Sequence, residues 1–209
     1  MLQIKELTIT YKKDLRTLIS GLSFVLNPGD KAAIIGEEGN GKSTLMKLLY
    51  DERLVEDYAE YSGEILRNNS VLGYLQQELD QPEKEMSIYE FMIQEAGFYE
   101  MEGKELAGMA NRVGLPPDLL YSCQKVDTLS GGEKVKLQMI RLLCKRPDTL
   151  LLDEPSNDID LETLEWLEQF VLQWEGAVLF ISHDETLLER TANRIFHLEL
   201  LKPELFTAV

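Results

Sequence analysis

Short hydrophobic runs dominate the first third of the chain and predict β-strands. Residues 2–9 and 22–26 mix apolar and polar positions as a half-buried strand does. Residues 31–35 are mostly apolar, which is typical of a strand buried on both faces. Two more short runs, 64–67 and 71–75, flank an Asn-Asn pair, and this arrangement predicts a hairpin.

Helical periodicity replaces the strand pattern in the middle of the chain. From about residue 80 to residue 147 the apolar positions recur with a helical period, which is interrupted at Gly97, at Gly103 and at residues 115–118. No flexible linker or internal repeat separates this stretch from its neighbours. We therefore expect one folded unit with an inserted helical lobe.

The last third returns to strands, at residues 149–152 and 177–181, with a helix between them. Five apolar residues of this helix are predicted to share one face: Leu161, Leu164, Leu167, Phe170 and Val171. Trp166 and Trp174 lie near that face and are expected to pack rather than to act chemically.

The combined pattern predicts an α/β fold with three parts. Residues 1–79 and 148–209 would form a parallel core. A small antiparallel β piece would lie near the front of the chain, and a helical subdomain would span about residues 80–147.

Composition narrows the possible functions. The 209 residues carry a net charge of −16, so this surface repels phosphate backbones and general binding to nucleic acid is not expected. No window approaches about eighteen uninterrupted apolar residues, so direct membrane insertion is not expected. No secretory signal is visible, and Cys123 and Cys144 fit no metal or disulfide spacing. Free thiols in a reducing compartment favour a cytoplasmic protein.

A candidate phosphate-binding loop follows the strand predicted at residues 31–35. The stretch Gly36-Glu-Glu-Gly39-Asn40-Gly41-Lys42-Ser43-Thr44 has the spacing of such a loop and leads into an apolar-periodic helix. Its glycines let backbone N–H groups surround phosphates, and the helix dipole adds positive potential. We expect Lys42 to reach the β- and γ-phosphates and the Ser43 hydroxyl to bind Mg²⁺. The alternative is a glycine-rich turn without a ligand.

Two acidic residues end the strand predicted at residues 149–152. Because neighbouring side chains on a strand point to opposite sides, Asp153 and Glu154 are expected to have separate roles. Asp153 suits the Mg²⁺ shell beside Ser43, and Glu154 would polarise the attacking water. His183 ends the next strand and is placed to contact the γ-phosphate, although a lone histidine is more often a surface or packing residue.

A second serine- and glycine-containing helix start occurs at Ser130-Gly131-Gly132-Glu133. Serine followed three residues later by glutamate is a capping box, so the stretch could simply begin a helix. Two glycines cost such a start stability, and bare backbone there would suit the approach of a large anion. This loop lies in the predicted lobe, so we expect it to meet a nucleotide bound to another molecule or domain.

In their order along the chain, these motifs resemble those of an ABC-type ATPase cassette over nearly the whole length. Residues 36–44 resemble the Walker A motif, 150–154 the Walker B motif, 129–133 the signature motif and 156–160 the D-loop, and His183 resembles the switch histidine. The resemblance implies binding of ATP and Mg²⁺, with the Walker A residues Gly36, Gly39, Asn40, Gly41, Lys42, Ser43 and Thr44 contacting the nucleotide.

Two further positions depend on the resemblance. Gln77, in Tyr74-Leu-Gln-Gln-Glu78, is similar to the Q-loop glutamine that contributes to the Mg²⁺ site and senses the γ-phosphate, with Gln76 as a rival assignment. Tyr11 lies where the family has an aromatic residue that stacks on adenine, although it could equally be an ordinary strand residue.

In this family two cassettes pair head to tail, which implies that Ser130, Gly131 and Gly132 act on the partner's ATP. The partner would be a second cassette, in the same chain of a longer protein or in another copy. Residues 153–160 resemble the ABC-F branch, whose soluble members act on ribosomes through parts that this sequence does not contain. The expected function is Mg·ATP hydrolysis by the pair. The alternatives are the ATPase subunit of an ABC transporter and a switch module that binds ATP without hydrolysing it.

Overall fold

The computed structural model describes residues 1–199 and 202–207. Its strands are β1 (Leu2–Tyr11), β2 (Thr17–Leu26), β3 (Lys31–Ile35), β4 (Ala59–Leu66), β5 (Leu72–Leu75), β6 (Thr149–Asp153), β7 (Ala177–Ile181), β8 (Arg194–Glu199) and β9 (Lys202–Thr207). Its α-helices are α1 (Lys42–Tyr50), α2 (Gln81–Glu85), α3 (Ile88–Ile93), α4 (Ala96–Glu100), α5 (Gly103–Val113), α6 (Gly131–Leu143), α7 (Leu161–Gln173) and α8 (Glu185–Thr191). Short 3₁₀ turns occur at Glu52–Leu54, Pro117–Tyr121 and Val126–Thr128.

The strands form two sheets. The larger has the order β5-β6-β7-β3-β8-β9 and is parallel except for β9, which runs antiparallel to β8. The smaller is antiparallel, with the order β2-β1-β4. The predicted α/β fold, with a small antiparallel piece and a helical lobe, is confirmed.

The predicted hairpin of residues 64–67 and 71–75 is wrong. β4 runs antiparallel to β1, whereas β5 runs parallel to β6 in the other sheet. Asn68 and Asn69 have left-handed φ values of 43° and 61° and turn the chain from one sheet towards the other. The partner of β5 lies more than seventy residues further along the chain (Leu72 pairs with Thr149), so no local pattern could indicate this pairing.

Side-chain alternation along the parallel sheet positions one of the predicted site residues. Leu151 of β6 packs in the apolar cluster that contains α1, whereas Leu150 and Leu152 pack on the other face with α6 and α7. Asp153 is two residues beyond Leu151 and therefore points towards α1, where the Ser43 side chain meets it.

Helices α3 to α6 contribute to an apolar cluster of their own, which includes Phe91, Leu106 and Ile140. The prediction that the helical pattern breaks at Gly97 is wrong. Gly97 lies inside α4, and the non-helical break comes just before that helix, between Ile93 and Ala96. A Cβ atom at Gly97 would lie 2.1 Å from the carbonyl oxygen of Cys144, so this glycine is required for packing between helices. The division into a core and a lobe at residues 80–147 stays a prediction.

Helix α7 packs on the larger sheet through Leu167 and Val171, which are buried as predicted. Leu161 does not share that face: it is the first residue of α7 and is 70% exposed. Trp166 and Trp174 pack against the apolar cluster beneath α7, in agreement with the predicted packing role. Within the described residues, no helix combines the length and the apolar character needed to cross a lipid bilayer.

Candidate functional site

The loop between β3 and α1 ends in a helix start with free backbone donors. Gly41 precedes α1 in a left-handed conformation with φ 81°, and no side chain caps the helix. The first turn of α1 carries no acidic residue. A Cβ atom at Gly41 would lie 2.8 Å from the Cβ of Leu18, so glycine is required both for the conformation and for the close approach. This helix start can accept an anion, because its leading N–H groups have no competing side-chain acceptor.

The first two residues of α1 direct a cation and a hydroxyl into the site. The ammonium of Lys42 donates to the backbone carbonyls of Gly36 at 2.6 Å and of Glu37 at 2.9 Å. Within the described residues, no carboxylate lies within 4 Å of this ammonium, so its charge is not neutralised by an ion pair. The Ser43 hydroxyl donates to Oδ1 of Asp153 at 3.0 Å.

Asp153 is buried and held by two hydroxyl groups. Its second oxygen accepts a hydrogen bond from the Tyr74 hydroxyl at 3.1 Å. Burial raises the pKa of Asp153, and the hydrogen bonds from Ser43 and Tyr74 oppose that rise. A carboxylate beside a serine hydroxyl is an oxygen-donor pair of the kind that Mg²⁺ prefers, so these residues fit the metal that the family implies. Sequence reasoning missed Tyr74, although it lies in the stretch examined for glutamines and β5 is adjacent to β6.

Glu154 is oriented by a local turn rather than by strand alternation, which corrects the reason predicted for its separate role. Strand β6 ends at Asp153, and Glu154 has a left-handed φ of 49°. One carboxylate oxygen lies 3.3 Å from Nε2 of His183. The other oxygen is buried and has no hydrogen-bond partner among the described protein groups. Burial raises the pKa of Glu154, while the charges of His183 and Lys42 oppose that rise.

A cavity of about 570 Å³ lies in front of the start of α1. This volume is within the range of small-molecule sites. Nine of the predicted site residues line it: Tyr11, Gly39, Gly41, Lys42, Ser43, Thr44, Gln77, Glu154 and His183. Its wall also includes four residues that were not predicted, namely Arg16, Leu18, Glu38 and Asn157.

Three other predicted residues lie behind or beside this cavity. Gly36 and Asn40 face β8: a Cβ atom at Gly36 would lie 2.5 Å from the carbonyl oxygen of Leu198, and the Asn40 amide donates to the same oxygen at 3.4 Å. Both residues therefore fix the loop against the sheet. Asp153 lines an adjoining cavity of about 470 Å³ that it shares with Ser43 and Gln77.

The two candidate glutamines have different surroundings. The Gln76 amide donates to Glu83 at 2.6 Å, and Glu83 also pairs with Arg141 at 2.8 Å. Both glutamines line the adjoining cavity with Asp153, but only Gln77 also lines the cavity that holds Lys42. The geometry therefore favours Gln77 as the residue that senses a bound nucleotide.

The start of α6 is closed by groups of the chain itself. Ser130 and Glu133 form the predicted capping box: Ser130 Oγ accepts from the Glu133 N–H at 3.3 Å, and the Glu133 carboxylate accepts from the Ser130 N–H at 2.8 Å. A Cβ atom at Gly131 would lie 2.0 Å from the carbonyl oxygen of Asp158, and one at Gly132 would lie 2.4 Å from the hydroxyl of Thr163. Internal packing is thus sufficient to explain both glycines, without the approach of an anion.

None of Ser130, Gly131 and Gly132 lines the cavity at α1. Gly131 instead lines a neighbouring space of about 300 Å³, together with Gln77 and Asn157, which border both cavities. The signature residues therefore lie beside the candidate nucleotide site of their own chain and not in it.

An aromatic pair contributes to the wall of the cavity through one of its members. Tyr11 lines the cavity, and the centroid of its ring lies 5.9 Å from that of Tyr58. Tyr58 and Arg16 belong to no motif, and only the folded chain shows their position.

Comparison with known proteins identifies the fold and the family. The family model described as ABC transporter matches residues 19–157. The chain belongs to the ABC transporter family. The solved ATP-binding subunit of an ABC transporter has a TM-score of 0.78 at 19% identity, with 99% of this chain and 90% of that chain covered. A nucleotide-free ATP-binding cassette from an ABC transporter has a TM-score of 0.72 at 18% identity, with 96% and 88% covered. These two likenesses concern the fold alone.

Curated relatives indicate the branch of the ABC family. The chain is 34% identical to the energy-dependent translational throttle protein EttA of Haemophilus influenzae. The 200 aligned residues cover 93% of this chain and 34% of the relative. It is 32% identical to the ATP-binding protein Uup of Buchnera aphidicola. Here the 194 aligned residues cover 92% of this chain and 31% of the relative. Both relatives are ABC-F ATP-binding proteins. This ABC cassette spans about a third of the length of these relatives.

Proposed function

We propose that this ABC cassette binds Mg·ATP in the cavity at α1 and hydrolyses it when a second cassette completes the site. The observation that carries the proposal is the convergence of Lys42, Ser43, Asp153, Glu154 and His183 at the carboxyl ends of three neighbouring parallel strands. A phosphate-binding loop, an oxygen-donor pair and a buried carboxylate at one sheet edge are the components that phosphoryl transfer requires.

Different residues of this chain would bind the phosphates, hold the metal ion and orient the attacking water. The N–H groups at the start of α1 would bind the phosphate oxygens, and the Lys42 ammonium would exchange its two loop carbonyls for them. Mg²⁺, held by Ser43 and Asp153, would neutralise charge that develops on the phosphates. The unpartnered oxygen of Glu154 would accept a hydrogen bond from the attacking water and orient it. His183, which contacts the other oxygen, would hold this carboxylate in place and sense the γ-phosphate.

What the cavity lacks supports the need for a second cassette. Its open side carries no donor from Ser130 or Gly132 of the same chain, so a signature loop could reach this nucleotide only from a partner. The Glu133 carboxylate must then release the Ser130 N–H before that group can bind phosphate. The partner would be another copy of this cassette or another cassette of a longer protein.

We further propose that the cassette is one half of a cytoplasmic ABC-F protein that acts on ribosomes. The support is its similarity of over 30% to ABC-F relatives, one of which is named as a translational throttle protein. The transporter structures share less than 25% identity with the chain and support only the fold. Co-sedimentation of the longer protein with ribosomes in the presence of ATP tests this step, and recovery in a membrane complex instead would contradict it.

The Glu154→Gln variant tests hydrolysis. We expect it to bind ATP as tightly as the parent while turnover falls by about a thousandfold, because the amide orients but does not polarise water. Glu165→Gln, an exposed change on α7, is the matched control and should leave turnover unchanged. Unaltered turnover in Glu154→Gln would refute the catalytic assignment.

Sedimentation of Glu154→Gln with Mg·ATP and with ADP then tests pairing. A dimer that forms only with ATP would show that two copies complete each other's sites. A monomer in both, with ATP binding confirmed by equilibrium dialysis, would show that the partner is a different cassette. A dimer that forms equally with ADP would contradict pairing through the nucleotide.

A further inference from the structure

A second cavity, of about 590 Å³, lies between the helical lobe and the core. It is bordered by α5, by the segment after α6 and by the outer face of α7, and it shares no lining residue with the cavity at α1. Its volume is within the range of small-molecule sites. The proposed hydrolysis does not use any of its residues.

One wall of this cavity is a continuous row of aromatic rings. Trp166 and Phe170 of α7 and Trp174 directly after the helix are four residues apart, with ring centroids 5.5 Å and 5.6 Å apart. All three are only partly buried: they pack against the apolar core on one side and line the cavity on the other. The Trp166 N–H donates to the backbone carbonyl of Arg112 at 3.2 Å, which fixes this ring between α7 and α5. Neighbouring rings are inclined by 35° and 28° to one another, so the row offers a rigid aromatic wall against which a planar apolar group can stack.

The charged side chains that line the cavity are all positive. Arg112 and Arg146 line it, and neither aspartate nor glutamate does, although the chain has a net charge of −16. Arg146 pairs with Glu105 at 3.3 Å, but both side chains are well exposed, so this pair is weak. Within the described residues, Arg112 has no carboxylate within 4 Å. The acidic surface therefore contains a local site where an anion would meet two guanidinium groups.

We propose that this cavity binds a small planar anion, that is, a flat aromatic body bearing a carboxylate or phosphate group. The body would stack on the row of rings, and the charged group would pair with Arg112 and Arg146. Because the ligand would touch the lobe and α7 at once, it would bridge the two parts of the cassette. Nucleic acid is disfavoured as the occupant, since the surrounding acidic surface would repel its further phosphates.

The test uses the fact that the chain has only two tryptophans, and both line this cavity. In a ¹H–¹⁵N spectrum of the full chain their indole N–H resonances report on this site and not on the cavity at α1. The probe is naphthalene-2-carboxylate, and its neutral counterpart is naphthalene-2-carboxamide. We expect the carboxylate to shift both indole resonances and to bind about tenfold more tightly than the amide, since a charge-assisted contact contributes about that factor.

The variant Arg112→Gln combined with Arg146→Gln should abolish this preference and leave the amide's affinity unchanged. The matched control is Lys5→Gln combined with Arg53→Gln, which removes the same charge from exposed sites outside the cavity and should retain the preference. The proposal is overturned if the carboxylate leaves both indole resonances unshifted, or if the preference survives in the arginine variant. Loss of the preference in the control as well would mean that only the overall charge matters, and would also overturn it. ATP binding, followed separately, tests the proposed function without reference to this result.

Discussion

Helices α1 and α6 both begin beside serine and glycine residues, yet their first N–H groups meet different partners. At α1, Gly41 precedes the helix in a left-handed conformation, no side chain caps it, and the cavity lies directly in front. At α6, Ser130 and Glu133 satisfy each other's backbone donors. Gly131 and Gly132 are covered by residues 158–163 of the same chain. The first start is open to an anion, and the second is closed by a carboxylate.

This difference shows that residue composition does not by itself define an anion site. What matters is whether the chain supplies its own acceptor for the N–H groups of the helix start. Glu133 supplies it at α6, whereas none of the residues that the structure describes does so at α1. A partner's phosphate would have to displace Glu133 and face its negative charge, so the second start would bind only when pairing stabilises the open form.

The largest expected effect is on nucleotide affinity. Lys42→Ala should weaken ATP binding to the single cassette by at least about 100-fold, or about 2.7 kcal/mol, because it removes an ammonium that donates only to loop carbonyls and that no described carboxylate neutralises. Lys134→Ala, the matched change in the first turn of α6, should alter affinity by less than about twofold, since Lys134 already pairs with Asp127 at 3.4 Å. Titration calorimetry measures both. Equal losses in the two variants would show that α6 also binds nucleotide within one chain.

The next effect is on stability. Gly131→Ala should lower the free energy of unfolding by about 2 kcal/mol, because the added Cβ would lie 2.0 Å from a backbone oxygen that cannot easily move. Gly108→Ala, inside α5 with no atom within 4 Å of the added Cβ, should raise it by about 0.5–1 kcal/mol. Urea unfolding of both variants provides the comparison. If Gly131→Ala proved as stable as Gly108→Ala, internal packing would not be the reason for that glycine.

The sequence predicts the open start of α1. At the closed start of α6 it predicts the cap, but not the residues that cover the glycines. The loop spacing and the neighbouring strand identify Lys42 and Ser43, and the pattern Ser130-x-x-Glu133 identifies the cap, because both interactions are local along the chain. The covering of Gly131 by Asp158 joins residues 27 positions apart, and no periodicity encodes such a contact.

Non-local contacts explain the other missed features as well. Tyr74 meets Asp153 only because β5 is placed beside β6, and this same pairing made the predicted hairpin wrong. Glu154 was expected to point away from Asp153 by strand alternation, but its orientation depends on a left-handed turn after the strand. Local sequence patterns predicted the type and order of the helices and strands. They could not predict which strands pair with each other in the sheets.

A smaller effect should follow removal of the cap itself. Ser130→Ala loses the hydroxyl acceptor and should destabilise the chain by about 1 kcal/mol. ATP affinity of the single cassette should not change, because Ser130 does not line the cavity at α1. ATP-dependent pairing of the Glu154→Gln background should weaken if the same hydroxyl also binds the partner's nucleotide. Thermal unfolding, calorimetry and sedimentation separate these three results, and a loss of affinity in the isolated cassette would contradict the geometry.

The smallest effect is on stability and concerns the buried oxygen of Glu154. This oxygen has no hydrogen-bond partner among the described residues, just as the first N–H groups of α1 have no side-chain acceptor. Burial raises the folded-state pKa of Glu154 above its unfolded value, so its ionised form costs stability. The stability that this group contributes is present below its unfolded pKa and is lost as the pH rises through the folded pKa. Glu154→Gln should therefore be more stable than the parent at neutral pH, by less than about 1 kcal/mol because solvent screens part of the cost. The gain should shrink as the pH falls through the raised folded-state pKa of Glu154. Placing both proteins in a His183→Ala background isolates the carboxylate from its neighbour, and a gain that grew on acidification would contradict the raised pKa.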